Sequence, residues 1–165
     1  MKKVVIAIIG LIILGATTWA NEPNAERGMG MGASFQGEQS DILLQFSLSE
    51  SISFGPYFRY VYGEDLGTDL GLGILGKFYL NNKKVSPFIC ATVGFLHASP
   101  DNGDSVTDII LGGGFGMDYF IDSNISIGIY AMLNATKSDE NSSRFGNPGG
   151  IMINTSTALT AFIYL

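Results

Sequence analysis

Apolar residues recur at every second position over most of this chain. In 69–80, Leu70, Leu72, Ile74, Phe78 and Leu80 share one parity, and Asp69, Gly71, Gly73, Lys77 and Tyr79 share the other. Ile125, Ile127, Ile129 and Leu133 stand opposite Ser126, Gly128, Tyr130 and Asn134. Near the end, Ile153, Leu159, Ile163 and Leu165 stand opposite Asn154, Ser156, Thr160 and Tyr164. A period of two sends successive side chains to opposite faces of a β-strand. The alternation marks eight candidate strands, over 27–36, 41–49, 51–62, 69–80, 85–97, 106–120, 125–134 and 151–165. Each is close to the roughly 9–11 residues with which a tilted strand crosses a bilayer. No helical period competes with them after residue 20, and no linker divides them. The pattern predicts an all-β fold, an eight-stranded antiparallel up-and-down transmembrane β-barrel in one domain, 21–165. A soluble sandwich would also alternate. Strand length and the glycines on the less apolar face favour the barrel, because a narrow lumen needs small residues opposite large ones.

Residues 1–20 carry a different pattern. Lys2 and Lys3 precede an apolar run over 4–15, and small residues lead to a cleavage-like Thr18-Trp19-Ala20. This predicts a cleavable signal peptide, and export combined with spanning strands predicts the cell outer membrane of a Gram-negative envelope. The connections agree. Those near residue 50, at 81–84 and at 122–124 are short, whereas 37–40, 63–68, 98–105 and 135–150 read as longer and more polar. Short periplasmic turns and long outer loops put both termini in the periplasm.

Composition narrows the function. Only 15% of residues are charged, against about 25% in a soluble domain, and Gly is abundant at 22 residues. The net charge of −6 and the lack of a basic patch argue against nucleic acid. Cys90, alone of its kind, cannot form an internal disulfide, and it lies too far from residue 20 to be a lipoprotein's acylated cysteine. With one His and one Cys, no metal and no cofactor is expected.

Two segments carry a family resemblance. The stretch Val85-Ser86-Pro87-Phe88-Ile89-Cys90-Ala91-Thr92-Val93-Gly94-Phe95 resembles the "SPFIGAGVG" strand of small OmpA/OmpX-like outer-membrane barrel proteins. Residues 112–120 with Asp122-Ser123-Asn124-Ile125-Ser126 are similar to that superfamily's "GaGxxYxxtdnxsl" hairpin. The resemblance implies the same eight-stranded fold, outer-membrane lipid and lipopolysaccharide as surroundings, and the barrel assembly machinery as a partner. Such barrels typically end on an aromatic residue; here the last residue is Leu165, with Tyr164 one place early. No OmpA-like tether to the cell wall is expected.

Candidate chemistry falls into three groups. Arg59, Asp69, Lys77 and Asp118 share the inward parity with Gln45, Tyr57 and Tyr79. They predict a polar network in the lumen, because buried charges need partners. Eight strands enclose an interior just wide enough for side chains, which favours a packed plug over a pore. The second group is His97-Ala98-Ser99, lipid-facing by parity, with Asp101, Asp104 and Asp108 nearby. It is similar to the "HxSN" pattern of lipid A deacylase barrels, in which an imidazole oriented by a carboxylate activates a serine. Pro100 stands where that pattern has Asn. The bland reading, a lone interfacial histidine beside a serine, is preferred. The third group, Lys137, Arg144 and Phe145, lies in the longest loop, the expected place for contact with a surface ligand. Tyr60, Tyr62, Phe78, Phe95, Phe115 and Tyr119 are expected on the lipid side, and the acidic loop residues read as solvated charges. The function these features predict is a monomeric, non-enzymatic barrel serving envelope integrity or surface interaction. A lipid A-modifying enzyme is the alternative, and a narrow channel or transporter the third reading.

Overall fold

A computed structural model describes residues 28–37, 39–64, 67–101 and 103–165. The expected signal peptide, 1–20, lies outside the described residues. Eight antiparallel strands form a closed barrel in sequence order: β1 (Met29–Gln36), β2 (Gln39–Ser47), β3 (Ile52–Gly63), β4 (Gly67–Tyr79), β5 (Val85–Ser99), β6 (Val106–Phe120), β7 (Ile125–Lys137) and β8 (Ile151–Tyr164). Closure comes from β8 pairing with β1, from Tyr164↔Gly30 to Leu159↔Phe35.

Parity decides which side chains meet lipid and which meet each other. Ile42, Ile74, Ile89, Leu111, Phe115, Leu133 and Leu159 all project outward and exposed. Tyr60, Tyr62, Phe78, Phe95 and Tyr119 join them. Inside lie Leu43, Leu75, Tyr79, Phe88, Tyr130, Met132, Phe162 and Tyr164. The interior glycines make this possible. A Cβ at Gly73 or Gly94 would fall 2.4 or 2.3 Å from the Tyr57 side chain, so the ring occupies the space two side chains would need.

Several strands run longer than the alternation suggested. β5 continues to Ser99 and β7 to Lys137, while β2 begins at Gln39 and β4 at Gly67. Only 2 residues separate β1 from β2 and 3 separate β3 from β4, fewer than the polar loops expected over 37–40 and 63–68. The left-handed backbone of Gly37 (φ 58°) and Gly67 (φ 79°) supplies the reversal. The connections from β5 to β6 and from β7 to β8 at that end are longer. At the other end, where β1 begins and β8 finishes, the turns over 48–51, 80–84 and 121–124 are all short.

One ladder is interrupted. β2 and β3 pair at Ile42↔Phe58 and Leu43↔Tyr57, then again at Phe46↔Phe54 and Ser47↔Ser53. Pro56 lies in the gap, where it has no N–H to donate. Beside it, a Cβ on Gly55 would come within 1.7 Å of the Leu44 carbonyl oxygen.

Candidate functional site

The lumen is a stack of three different environments. Nearest the termini it is filled. Lys77 Nζ sits 2.8 Å from Asp118 Oδ2, and both side chains are sealed from solvent. The Tyr79 hydroxyl donates to the same oxygen at 2.6 Å, and Gln45 Nε2 donates to Tyr79 Oη at 3.1 Å and to Ser53 Oγ at 2.8 Å. The ammonium also lies 4.5 Å from the Phe88 ring centroid and 4.9 Å from that of Phe162, so ring faces share its positive charge. Phe120 and Tyr164 close the same layer. Above it, Leu43, Leu75, Cys90, Tyr130 and Met132 form an apolar middle.

Toward the loop end the lumen opens into a cavity of about 350 Å³. Gln36, Gln39, Asn134, Asn154 and Ser156 line it together with Tyr57 and Tyr130. Arg59 Nε meets Asp41 Oδ1 at 2.7 Å across this wall, and Ser34 donates to the other Asp41 oxygen at 3.0 Å. Asn134 Nδ2 donates to Ser156 Oγ at 2.9 Å. The buried Oδ1 of Asn154 has no hydrogen-bond partner.

Over the cavity folds the 138–150 loop. Arg144 reaches down as a fork: Nη1 and Nη2 lie 2.5 and 3.1 Å from the two Asp69 oxygens, and Nε lies 3.1 Å from Asp108 Oδ2. Asp108, wholly buried, also accepts from Ser142 Oγ at 3.0 Å and from the Asp139 amide at 2.9 Å. Phe145 joins the cavity lining. Lys137 Nζ donates to the Gly149 carbonyl and holds the base of the loop.

The structure thus sorts the residues singled out from the sequence. Lys77 and Asp118 form one pair. Arg59 and Asp69 share the inward face without meeting, because Arg59 binds Asp41 and Asp69 binds Arg144. Arg144 and Phe145, expected to face a partner outside, instead turn inward and cap the lumen. The buried Asp108 and the half-buried Asp69 hold the guanidinium at the mouth, as a planar fork suits paired oxygens.

His97 and Ser99 make separate hydrogen bonds. His97 Nδ1 lies 2.9 Å from Thr107 Oγ1, and Ser99 Oγ accepts from Ser105 Oγ at 3.2 Å. Two residues apart on one strand, their Cα atoms stand roughly 7 Å from each other. Asp108, one pair along the ladder from His97, points into the lumen, so the barrel wall separates it from the imidazole. Among the described residues, no group of three or more His, Cys, Asp and Glu is arranged to hold a metal ion.

Sequence reasoning passed over Asp41 and Asp108 as luminal partners, and the amides of Gln36, Gln39 and Asn154. Parity would have found Asp108, since Thr107 pairs with His97 and its neighbour must point the other way. Nothing local marks the amides, which matter only because the cavity stops beside them.

No protein-family model matches the chain, and no curated protein does. Solved structures do. The N-terminal β-barrel domain of Pseudomonas aeruginosa OprF superposes with a TM-score of 0.54 at 9% identity, covering 83% of this chain and 95% of that one. Neisserial surface protein A superposes with a TM-score of 0.52 at 13% identity, covering 83% and 93%. At such identities the likeness is one of fold, the eight-stranded barrel that the OmpA/OmpX-like resemblance implied.

Proposed function

We propose that this barrel spans the outer membrane, with its termini in the periplasm, and serves the envelope without catalysis, through the loop end of the molecule. The observation that carries the membrane assignment is the outer wall. Every strand presents apolar side chains outward, and a closed barrel pairs its strands into a ring that satisfies backbone groups in lipid. Such a continuous apolar surface would drive a water-soluble molecule to associate. The short turns at one end and the 138–150 loop at the other support the orientation.

The absence of a hydrogen bond between Ser99 and His97 favours a non-catalytic role, since a nucleophile needs its base within about 3 Å. The filled layer around Lys77 and Asp118 favours it over a channel. The decisive experiment compares lipid A, by mass spectrometry, from cells with the protein, without it, and with His97→Ala. Unchanged acylation in all three is expected. An acyl chain lost or gained only when His97 is intact would make the barrel a lipid enzyme.

A further inference from the structure

We propose that Arg144 is a tethered occupant of a guanidinium-binding site at the mouth of the lumen, and that small alkylguanidinium compounds bind there in its place. The site lies inside the barrel wall and does not depend on what surrounds the barrel.

The carboxylates belong to the wall, and the cation comes from a loop. Asp69 is held in β4 between Val61 and Ala98, and Asp108 in β6 opposite Leu96. Arg144 arrives from 138–150, whose return to β8 bends at Gly146 (φ 68°) and Gly149 (φ 67°). The receptor is thus part of the barrel, and the group it holds hangs on a strap. The charges do not cancel. Asp41 is matched by Arg59, but Asp69 and Asp108 share the single guanidinium of Arg144. One formal negative charge is left over among these five groups. Lys137 does not supply it with a partner, because its ammonium goes to the Gly149 carbonyl.

The bound group itself identifies the ligand chemistry. Both terminal nitrogens of Arg144 meet the two Asp69 oxygens, and Nε meets Asp108 Oδ2 at 3.1 Å. A planar fork fills such paired oxygens, whereas an ammonium acts only as a point charge. One acceptor beside the site is unused. Ser138 follows Lys137, the partner of Ile109, so the register sets it across from Asp108. Its side chain is buried and its Oγ has no hydrogen-bond partner.

The site is reached from solvent and runs into the cavity. The side chains of Arg144 and Asp69 keep 18% and 33% of their surface exposed. Arg144 also lines the cavity of about 350 Å³, together with Leu96, Ile110 and Phe145. When the arginine side chain leaves, its place and the cavity become one space. A short alkyl tail then has an apolar wall to lie on, and a volume near the lower end for ligand pockets keeps the ligand small. In the intact protein the tether opposes this exchange. A group on a short loop competes at an effective concentration on the order of millimolar, so the site binds outside ligands weakly until Arg144 is removed.

The test is calorimetric titration of the folded barrel in dodecyl maltoside micelles at fixed ionic strength. The probes are butylguanidinium and butylurea, its uncharged counterpart of the same shape. Arg144→Ala should bind one equivalent of butylguanidinium at least about tenfold more tightly than the wild type does, and should not bind butylurea. Adding Asp69→Asn to Arg144→Ala should weaken that binding about tenfold or more, the worth of a hydrogen bond to a charged group. Folding of each variant is read from the faster migration of the unboiled band; if Arg144→Ala does not fold, Arg144→Gln carries the titration. No saturable binding of butylguanidinium to the folded variant would overturn the proposal. Equal affinity in the wild type would show that Arg144 does not occupy the site. An equal response to butylurea would overturn the choice of a cation, and an unchanged affinity after Asp69→Asn would place the ligand elsewhere.

Discussion

At the residue scale, the Lys77–Asp118 pair shows how a small barrel keeps charges in its interior. Each charge has partners beyond the other: Tyr79 for the carboxylate, two ring faces for the ammonium. Removing one member leaves the other desolvated and uncompensated. Lys77→Met should therefore destabilise the barrel by about 3 kcal/mol or more, read as urea unfolding from lipid vesicles. The double variant Lys77→Met, Asp118→Leu should recover part of that loss, since an apolar pair of similar volume often replaces an ion pair at little cost. If the double variant is as unstable as the sum of the two single variants, the pair is not the coupled unit described here.

At the scale of elements, two glycines separate two kinds of necessity. Gly37 has open space around it and is required only for its positive φ. Gly37→Ala should cost about 1 kcal/mol, the ordinary penalty of a left-handed Ala. Gly55 has an unremarkable backbone but lies against the Leu44 carbonyl, where a methyl cannot enter without opening the β2–β3 ladder. Gly55→Ala should cost at least about 3 kcal/mol in the same unfolding assay, the upper end of overpacking. The 138–150 loop offers a third case at this scale. Its position depends on Arg144 gripping two carboxylates, so Arg144→Ala should speed protease cleavage within 138–150 while leaving the strands protected. An unchanged cleavage rate would show that Ser142 and Lys137 hold the loop unaided.

For the whole molecule, closure by β8–β1 pairing makes unfolding cooperative, because no strand can leave without breaking two ladders. The folded protein should migrate faster than the boiled form on a detergent gel. A single unshifted band would argue against a closed barrel. The aromatic and ion-paired layer across the lumen should also leave planar bilayers without stepwise conductance. Steady unitary currents would restore the channel reading and point to motion around Lys77.

The alternating pattern by itself determined the strand count and which side of the wall the strand residues face. A period of two is a local property, and each strand carries it independently of its neighbours. It placed Arg59, Asp69, Lys77 and Asp118 on one surface and His97 on the other without knowledge of any contact. The tertiary structure alone decided which charges meet, and at what height. Arg59 finds Asp41 rather than Asp69, and Arg144 folds inward, because partners across a lumen are set by the stagger between strands and by how tightly 138–150 returns. The low β1–β2 hairpin belongs to the same class. Gly37 hints at a turn there, but how low the hairpin stands is set only relative to the longer strands on either side, a comparison of lengths and registers that no single segment contains.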